Sequence, residues 1–111
     1  MDIIGRVIQY YRKENGVVPY LDWYHSLRND EVKDMVLTRL DRVRQGNFGD
    51  YKSVGGGIFE LRFKMGPGYR IYFGMEGKTL IILYCAGDKD TQSRDVRLAQ
   101  EYLIDYRRRS R

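Results

Sequence analysis

The sequence is poor in the residues from which disulfides, metal sites and membrane spans are built. Its 111 residues include one cysteine, one histidine and two prolines. A single cysteine permits no internal disulfide, which predicts a reducing, cytoplasmic location. One histidine beside one cysteine is too few for an ordinary metal site, so we expect no metal, and we expect no small-molecule cofactor. No apolar run approaches the ~18 residues of a membrane helix, and the first residues lack a signal-peptide core, so no membrane partner is expected.

Size and composition predict one folded domain. Hydrophobic residues make up 42% of the chain and aromatic residues 14%, which is too much for a disordered protein. A chain of 111 residues has room for one core. We therefore expect a single domain over 1–106, followed by a basic tail at 107–111.

The positive charge is concentrated in two zones. The net charge is +5, and residues 39–70 carry seven cationic and three acidic side chains. The tail 107–111 contributes four arginines. Because fourteen of the twenty cations are arginine, which binds phosphate through two parallel hydrogen bonds, nucleic acid is the partner that the composition favours. The alternative is a charge that serves solubility alone.

Hydrophobic spacing predicts an α+β fold in the order β-α-α-β-β-β-α, with helices packed on a four-stranded, mainly antiparallel sheet. The segment 46–57 holds five glycines and is predicted to be a long surface loop. The predicted strands cover 3–11, 59–64, 69–74 and 79–86. The first predicted helix runs from Pro19 to about Arg28 and the second from Asn29 or Asp30 to just before Gly46. The third predicted helix runs from Asp90 or Thr91 to Tyr106.

Cationic side chains alternate with apolar ones on two of these strands. Arg62 and Lys64 share the polar face of one strand, and Arg70 shares that of the next with Tyr72. With Lys52 from the glycine-rich loop, this face would suit RNA, the cations binding phosphates and the phenol stacking on a base. The alternative is a solvated face with ordinary cross-strand ion pairs.

A second group of polar residues lies between the apolar strand 79–86 and the last helix. Lys89 stands between Asp88 and Asp90, where a strand end and a helix start expose the backbone. It is either a tuned acid or base or a surface residue beside a helix cap. Cys85 lies inside the apolar run and is predicted to be an inert core thiol rather than the partner of His25.

Four segments together resemble a known family. ELRF (60–63), GPGYRIYF (66–73), LIILYCAGDK (80–89) and TQSRDV (91–96) are similar to those of phage-derived addiction-module killer proteins, a HigB-like branch of the RelE/ParE toxin superfamily. The resemblance implies the small, single-domain toxin fold and a type II toxin–antitoxin system with a helix-turn-helix antitoxin. Many relatives cleave mRNA on the ribosome and inhibit translation, whereas ParE-like members poison DNA gyrase.

The resemblance also implies roles for three residues. Arg70 matches the arginine that relatives place against the scissile phosphate, Arg62 matches a basic strand position, and Lys89 falls where some relatives carry a catalytic cation. Arginine and lysine would then act as electrostatic clamps on the phosphate, with Lys89 as proton donor and Lys52 and Lys64 on flanking phosphates. Lysine ordinarily titrates near pH ~10.4, so the base is expected to be Asp88, Asp90 or a group supplied by the ribosome.

Two other functions remain open at this point. The first is a non-catalytic, ParE-like gyrase inhibitor, and the second is an inactive relative that binds RNA. The tail 107–111 has three open interpretations: contact with ribosomal RNA, contact with the antitoxin, or disorder.

Overall fold

Eight regular elements make up the part of the chain that the computed structural model describes, residues 5–110. The predicted start of the first strand, at Ile3, lies outside these residues. In chain order the elements are β1 (Val7–Tyr10), α1 (Pro19–Ser26), α2 (Asp30–Arg44), β2 (Tyr51–Gly55), β3 (Ile58–Arg62), β4 (Arg70–Glu76), β5 (Leu80–Gly87) and α3 (Gln92–Arg109).

The sheet has five strands in the order β1-β5-β4-β3-β2. β1 runs parallel to β5, and the other neighbours are antiparallel, so the sheet is mixed. The predicted four-stranded sheet is wrong by one strand, because β2 lies inside the glycine-rich segment that was predicted to be a loop. β2 is an exposed edge strand without an apolar face, which is why hydrophobic alternation did not reveal it.

Helices cover both faces of this sheet. α1 and α2 pack on one face around Tyr20, Leu40 and Phe73. α3 packs on the other face, where Ala99 and Leu103 bury against strand residues. The described chain is therefore a compact α+β domain with a radius of gyration of 13.5 Å.

Local sequence accounts for where the helices begin. α1 begins at Pro19, whose missing N–H costs nothing in a first helical turn. α2 is capped by Asn29, whose side-chain oxygen accepts the N–H groups of Glu31 and Val32 at 2.8 and 3.3 Å. Both starts agree with the predicted ones.

The end of α3 is tied to the body of the domain. The helix continues through Arg109, so three residues of the predicted tail are helical. Arg107 forms an ion pair with Glu76 at 3.1 Å. Arg109 donates to the carbonyl of Arg12 at 2.6 Å and pairs with Asp105 at the same distance. These contacts fasten the helix end to β4 and to the residues after β1.

Candidate functional site

Arg70 is held on two sides at the start of β4. Its Nη1 donates to the carbonyl of Gly68 at 2.6 Å, and its Nε lies 3.5 Å from Oε2 of Glu60. Gly68 has φ +74°, and a Cβ there would be 3.1 Å from Nη1 of Arg70. The glycine therefore makes the close approach of the guanidinium to the turn possible. Neither contact uses Nη2, which leaves that amino group to donate to an anion.

Glu60 is a charged residue in the interior of the α3 face, with 0% of its surface exposed. Its Oε2 accepts from Nε2 of Gln92 at 2.7 Å and from the hydroxyl of Tyr72 at 3.3 Å, in addition to its ion pair with Arg70. Its Oε1 has no hydrogen-bond partner within residues 5–110.

Tyr72 is as deeply buried as Glu60. Burial raises the pKa of its phenol, and the neighbouring Glu60 carboxylate raises it further. The prediction that Tyr72 stacks on a base does not fit this placement, because α3 covers the sheet face that was expected to be solvated. The structure instead gives its hydroxyl the role of a buried donor to Glu60.

Arg62 lies directly beside Arg70, since the two are register partners on β3 and β4. Its Nη2 and Nε contact Oδ1 of Asp50 at 2.8 and 3.2 Å. Hydrogen bonding from Arg62 holds the pKa of the Asp50 carboxyl below its usual range. The side chain of Arg62 is 35% exposed, so this cation has a partner and still reaches the surface.

Lys89 lies in the turn next to Arg70. Its backbone N–H donates to the carbonyl of Pro67 at 3.3 Å, which joins the turn before α3 to the turn before β4. Its Cβ and Nη1 of Arg70 both lie within 4 Å of the point that a Cβ on Gly68 would occupy. Lys89 is exposed, and its backbone and Cβ lie beside the turn that holds Arg70.

The two candidate bases, Asp88 and Asp90, differ in the hydrogen bonds that their carboxylates accept. Oδ1 of Asp88 accepts the N–H groups of Asp90 and Thr91 at 2.9 and 3.2 Å, so this carboxylate shapes the turn before α3. Asp90 is exposed on the same turn. Asp90 is the more exposed of the two, and Asp88 lines a surface groove with Thr91 and Arg94.

The remaining predicted RNA contacts are on opposite faces of the sheet. Lys52 is exposed on β2 opposite Glu60, and it lines a shallow groove of about 510 Å³ with Gln92 and Arg97. Lys64 follows the end of β3 and lines a separate groove of about 580 Å³ against α2. The structure thus places Lys52 near the start of α3 and places Lys64 away from it.

Much of the charge in the basic zone 39–70 has partners within the zone. All three of its acidic residues pair with its arginines: Asp41 with Arg44, Asp50 with Arg62 and Glu60 with Arg70. A fourth arginine, Arg39, donates to the carbonyls of Phe48, Asp50 and Arg62, and burial lowers the pKa of its guanidinium. Four of the seven cations in the basic zone therefore have partners among the described residues.

Residues 5–110 give little support to a reactive thiol, a metal site or a membrane helix. Cys85 is 5% exposed, and burial raises the pKa of its thiol, so the folded protein keeps it as an inert thiol. Within the described range, no three His, Cys, Asp or Glu side chains are placed to hold a metal ion. None of the helices in that range has the length and apolar run that a membrane crossing requires.

Gln92 and Asp50 are the site residues that sequence reasoning left without a role. Gln92 belongs to the TQ segment of the family resemblance, and its position in the first turn of the predicted helix was the available signal. Asp50 lies twelve positions before Arg62 in a segment predicted to be a loop, and nothing in its spacing indicated the pairing.

The chain is similar to a known protein over 70% of its length. No protein-family model matches the chain. The chain is 46% identical over 78 residues to an uncharacterized protein of Haemophilus influenzae (strain ATCC 51907 / DSM 11121 / KW20 / Rd), and the match covers 70% of this chain and 79% of that protein.

Proposed function

The chain belongs to the same family as this Haemophilus influenzae protein, and we propose that it is the toxin of a type II toxin–antitoxin system. In this proposal it is a HigB-like toxin of the RelE/ParE superfamily that cleaves mRNA on the ribosome and so inhibits translation. A helix-turn-helix antitoxin encoded beside it neutralises it. The motif resemblance supports the assignment, and the α+β architecture agrees with it.

One observation carries the proposal. Arg70 is fixed by a backbone carbonyl and a buried carboxylate, with Arg62 beside it in register and Lys89 on the adjoining turn. A cation whose orientation is fixed before the substrate arrives stabilises the negative charge of a phosphorane without reorganisation cost. An arginine held by two contacts, with a second arginine in register beside it and a lysine on the adjoining turn, would suit a phosphodiester.

The proposed reaction is attack of the 2′-hydroxyl on the adjacent phosphorus. Arg70 and Arg62 bind the non-bridging oxygens, and Lys89 donates the proton that the leaving 5′-oxygen takes up. Asp90 or a ribosomal group removes the proton from the 2′-hydroxyl. The products are a 2′,3′-cyclic phosphate and a free 5′-hydroxyl.

Flanking RNA would lie across the groove between β2 and α3. Lys52 and Arg97 are exposed cations on its two sides, and they can bind phosphates next to the scissile one. Lys64 faces the α2 side and is expected to contribute less.

The test is induced expression of the protein in growing cells, with reporter transcripts mapped by primer extension. Wild-type protein should arrest growth and produce discrete cuts, and Arg70→Ala or Lys89→Ala should do neither. Arg44→Ala is the matched control, because Arg44 is an exposed arginine on α2 whose ion pair among residues 5–110 is with Asp41. If Arg70→Ala and Lys89→Ala cut transcripts as the parent does, the proposed site is wrong.

Other outcomes of this experiment would identify the alternatives. Growth arrest with intact mRNA, DNA-damage induction and blocked supercoiling would assign a ParE-like gyrase inhibitor. An absent growth phenotype with salt-dependent RNA binding would assign an inactive RNA-binding relative.

A further inference from the structure

Glu60 is a buried carboxylate that the proposed reaction does not use. It cannot touch RNA directly, because none of its surface is exposed. Burying a carboxylate costs several kcal/mol unless it is well paired, so its presence in the interior calls for a physical reason. We find the reason in Oε2 of Glu60, which contacts both Gln92 and Arg70.

The carboxylate connects the first turn of α3 to the proposed phosphate clamp. Gln92, the first residue of α3, donates to Oε2 at 2.7 Å, and the same oxygen lies 3.5 Å from Nε of Arg70. Gly68 holds the other side of the guanidinium through its carbonyl. The orientation of Arg70 is thus set by one backbone contact and one buried chain of side chains.

The pairing is too incomplete to be explained by stability. Oε1 of Glu60 and Nε of Arg70 are both buried without a hydrogen bond inside the described part of the chain. Buried ion pairs with unsatisfied atoms contribute little compared with hydrocarbon of the same volume. Hydrocarbon fills neighbouring positions on this face, such as Ile58, Ile82 and Leu103. An apolar residue at position 60 would pack there, but it could not orient a guanidinium.

We propose that Glu60 and Gln92 are positioning residues for Arg70. Glu60 orients the guanidinium, and Gln92 orients Glu60, so the start of α3 determines where the clamp points. The inference rests on the proposed function for its catalytic consequence, whereas the orientation of Arg70 can be measured without any activity.

The activity test compares two glutamines of the same helix. Gln92→Ala removes the donor to Glu60, whereas Gln100→Ala removes a donor to the carbonyl of Gly55, at 3.2 Å and outside the Arg70 cluster. On ribosome-bound mRNA we expect Gln92→Ala to lower the maximal cleavage rate tenfold or more. Its half-saturating ribosome concentration should stay within twofold, and Gln100→Ala should match wild type in both. If wild type cleaves the mRNA and the two variants have equal maximal rates, the proposal is overturned.

The orientation test observes the Nε–H group of Arg70 by NMR, with the signal assigned through Arg70→Lys. We expect slow solvent exchange in wild type and Gln100→Ala, and exchange at least tenfold faster in Glu60→Gln and Gln92→Ala, with backbone amide spectra retained. Unchanged exchange in both variants would overturn the positioning role whatever the activity. Faster exchange combined with no RNA cleavage by wild type would uphold the positioning role and refute the endoribonuclease proposal alone.

Discussion

Gly87→Ala is expected to destabilise the protein strongly, although Gly87 has an ordinary backbone conformation. A Cβ at this position would overlap Oδ2 of Asp95 and lie 2.5 Å from Oγ1 of Thr91. Asp95 is 2% exposed and accepts the Thr91 hydroxyl at 2.5 Å, so it has little room to move. Overpacking costs about 1–3 kcal/mol, and loss of a hydrogen bond to a charged group costs about 1.5–3 kcal/mol.

Together these effects predict that the free energy of unfolding falls by about 2.5–6 kcal/mol, less about 0.4–1 kcal/mol gained because alanine restricts the unfolded chain. Urea unfolding followed by circular dichroism measures the change. Gly5→Ala is the control, since a Cβ on Gly5 meets nothing within 4 Å. The double variant Gly87→Ala/Asp95→Ala should lose less than the two single losses combined, because the overlapping carboxylate is gone. Wild-type stability in Gly87→Ala, or strict additivity in the double variant, would refute the reasoning.

Two further predictions concern cations that support the fold. Arg39→Lys should lower the free energy of unfolding, measured in urea, by about 2–4 kcal/mol. The planar guanidinium of Arg39 donates to three backbone carbonyls and lies 5.0 Å from the centre of the Phe63 ring, and a lysine ammonium cannot replace it. A loss under ~0.5 kcal/mol would contradict this reasoning. Hydrogen bonds from Arg109 and Tyr11 hold the pKa of Asp105 below its usual range. The ionised carboxylate therefore stabilises the folded state in full above the unfolded-state pKa near ~3.9, and this stabilisation is lost as pH falls further. Wild-type stability should therefore fall more steeply than that of Asp105→Asn between about pH 5 and 3, and parallel pH profiles would refute the pairing.

The sequence predicted the helices and the main strands well because their apolar residues repeat with clear periods. α2 and its Asn29 cap match the prediction, as does the run from Leu80 into Gly87. β2 could not be found in the same way. Its residues are mostly exposed, and its strand character comes from pairing with β3, which is a contact between distant residues rather than a local pattern.

The candidate site was only partly predictable for a related reason. Alternation separates the two faces of a strand but does not say what covers each face. The polar face that contains Glu60 and Tyr72 was therefore expected to be solvated, whereas α3 buries it. The proximity of Arg62 to Arg70 followed from strand pairing, but the link from Gln92 through Glu60 required knowledge of where α3 packs.

Ribosomes carrying a 5′-labelled mRNA, incubated with the purified protein, provide the most direct test of the central claim. The proposed mechanism predicts discrete fragments ending in 2′,3′-cyclic phosphate with wild type and with Arg44→Ala. It predicts intact mRNA with Arg70→Ala, provided that this variant keeps the wild-type circular dichroism spectrum. Intact mRNA with the folded wild-type protein, or undiminished cleavage by Arg70→Ala, would contradict the proposal that Arg70 is the phosphate clamp of an endoribonuclease.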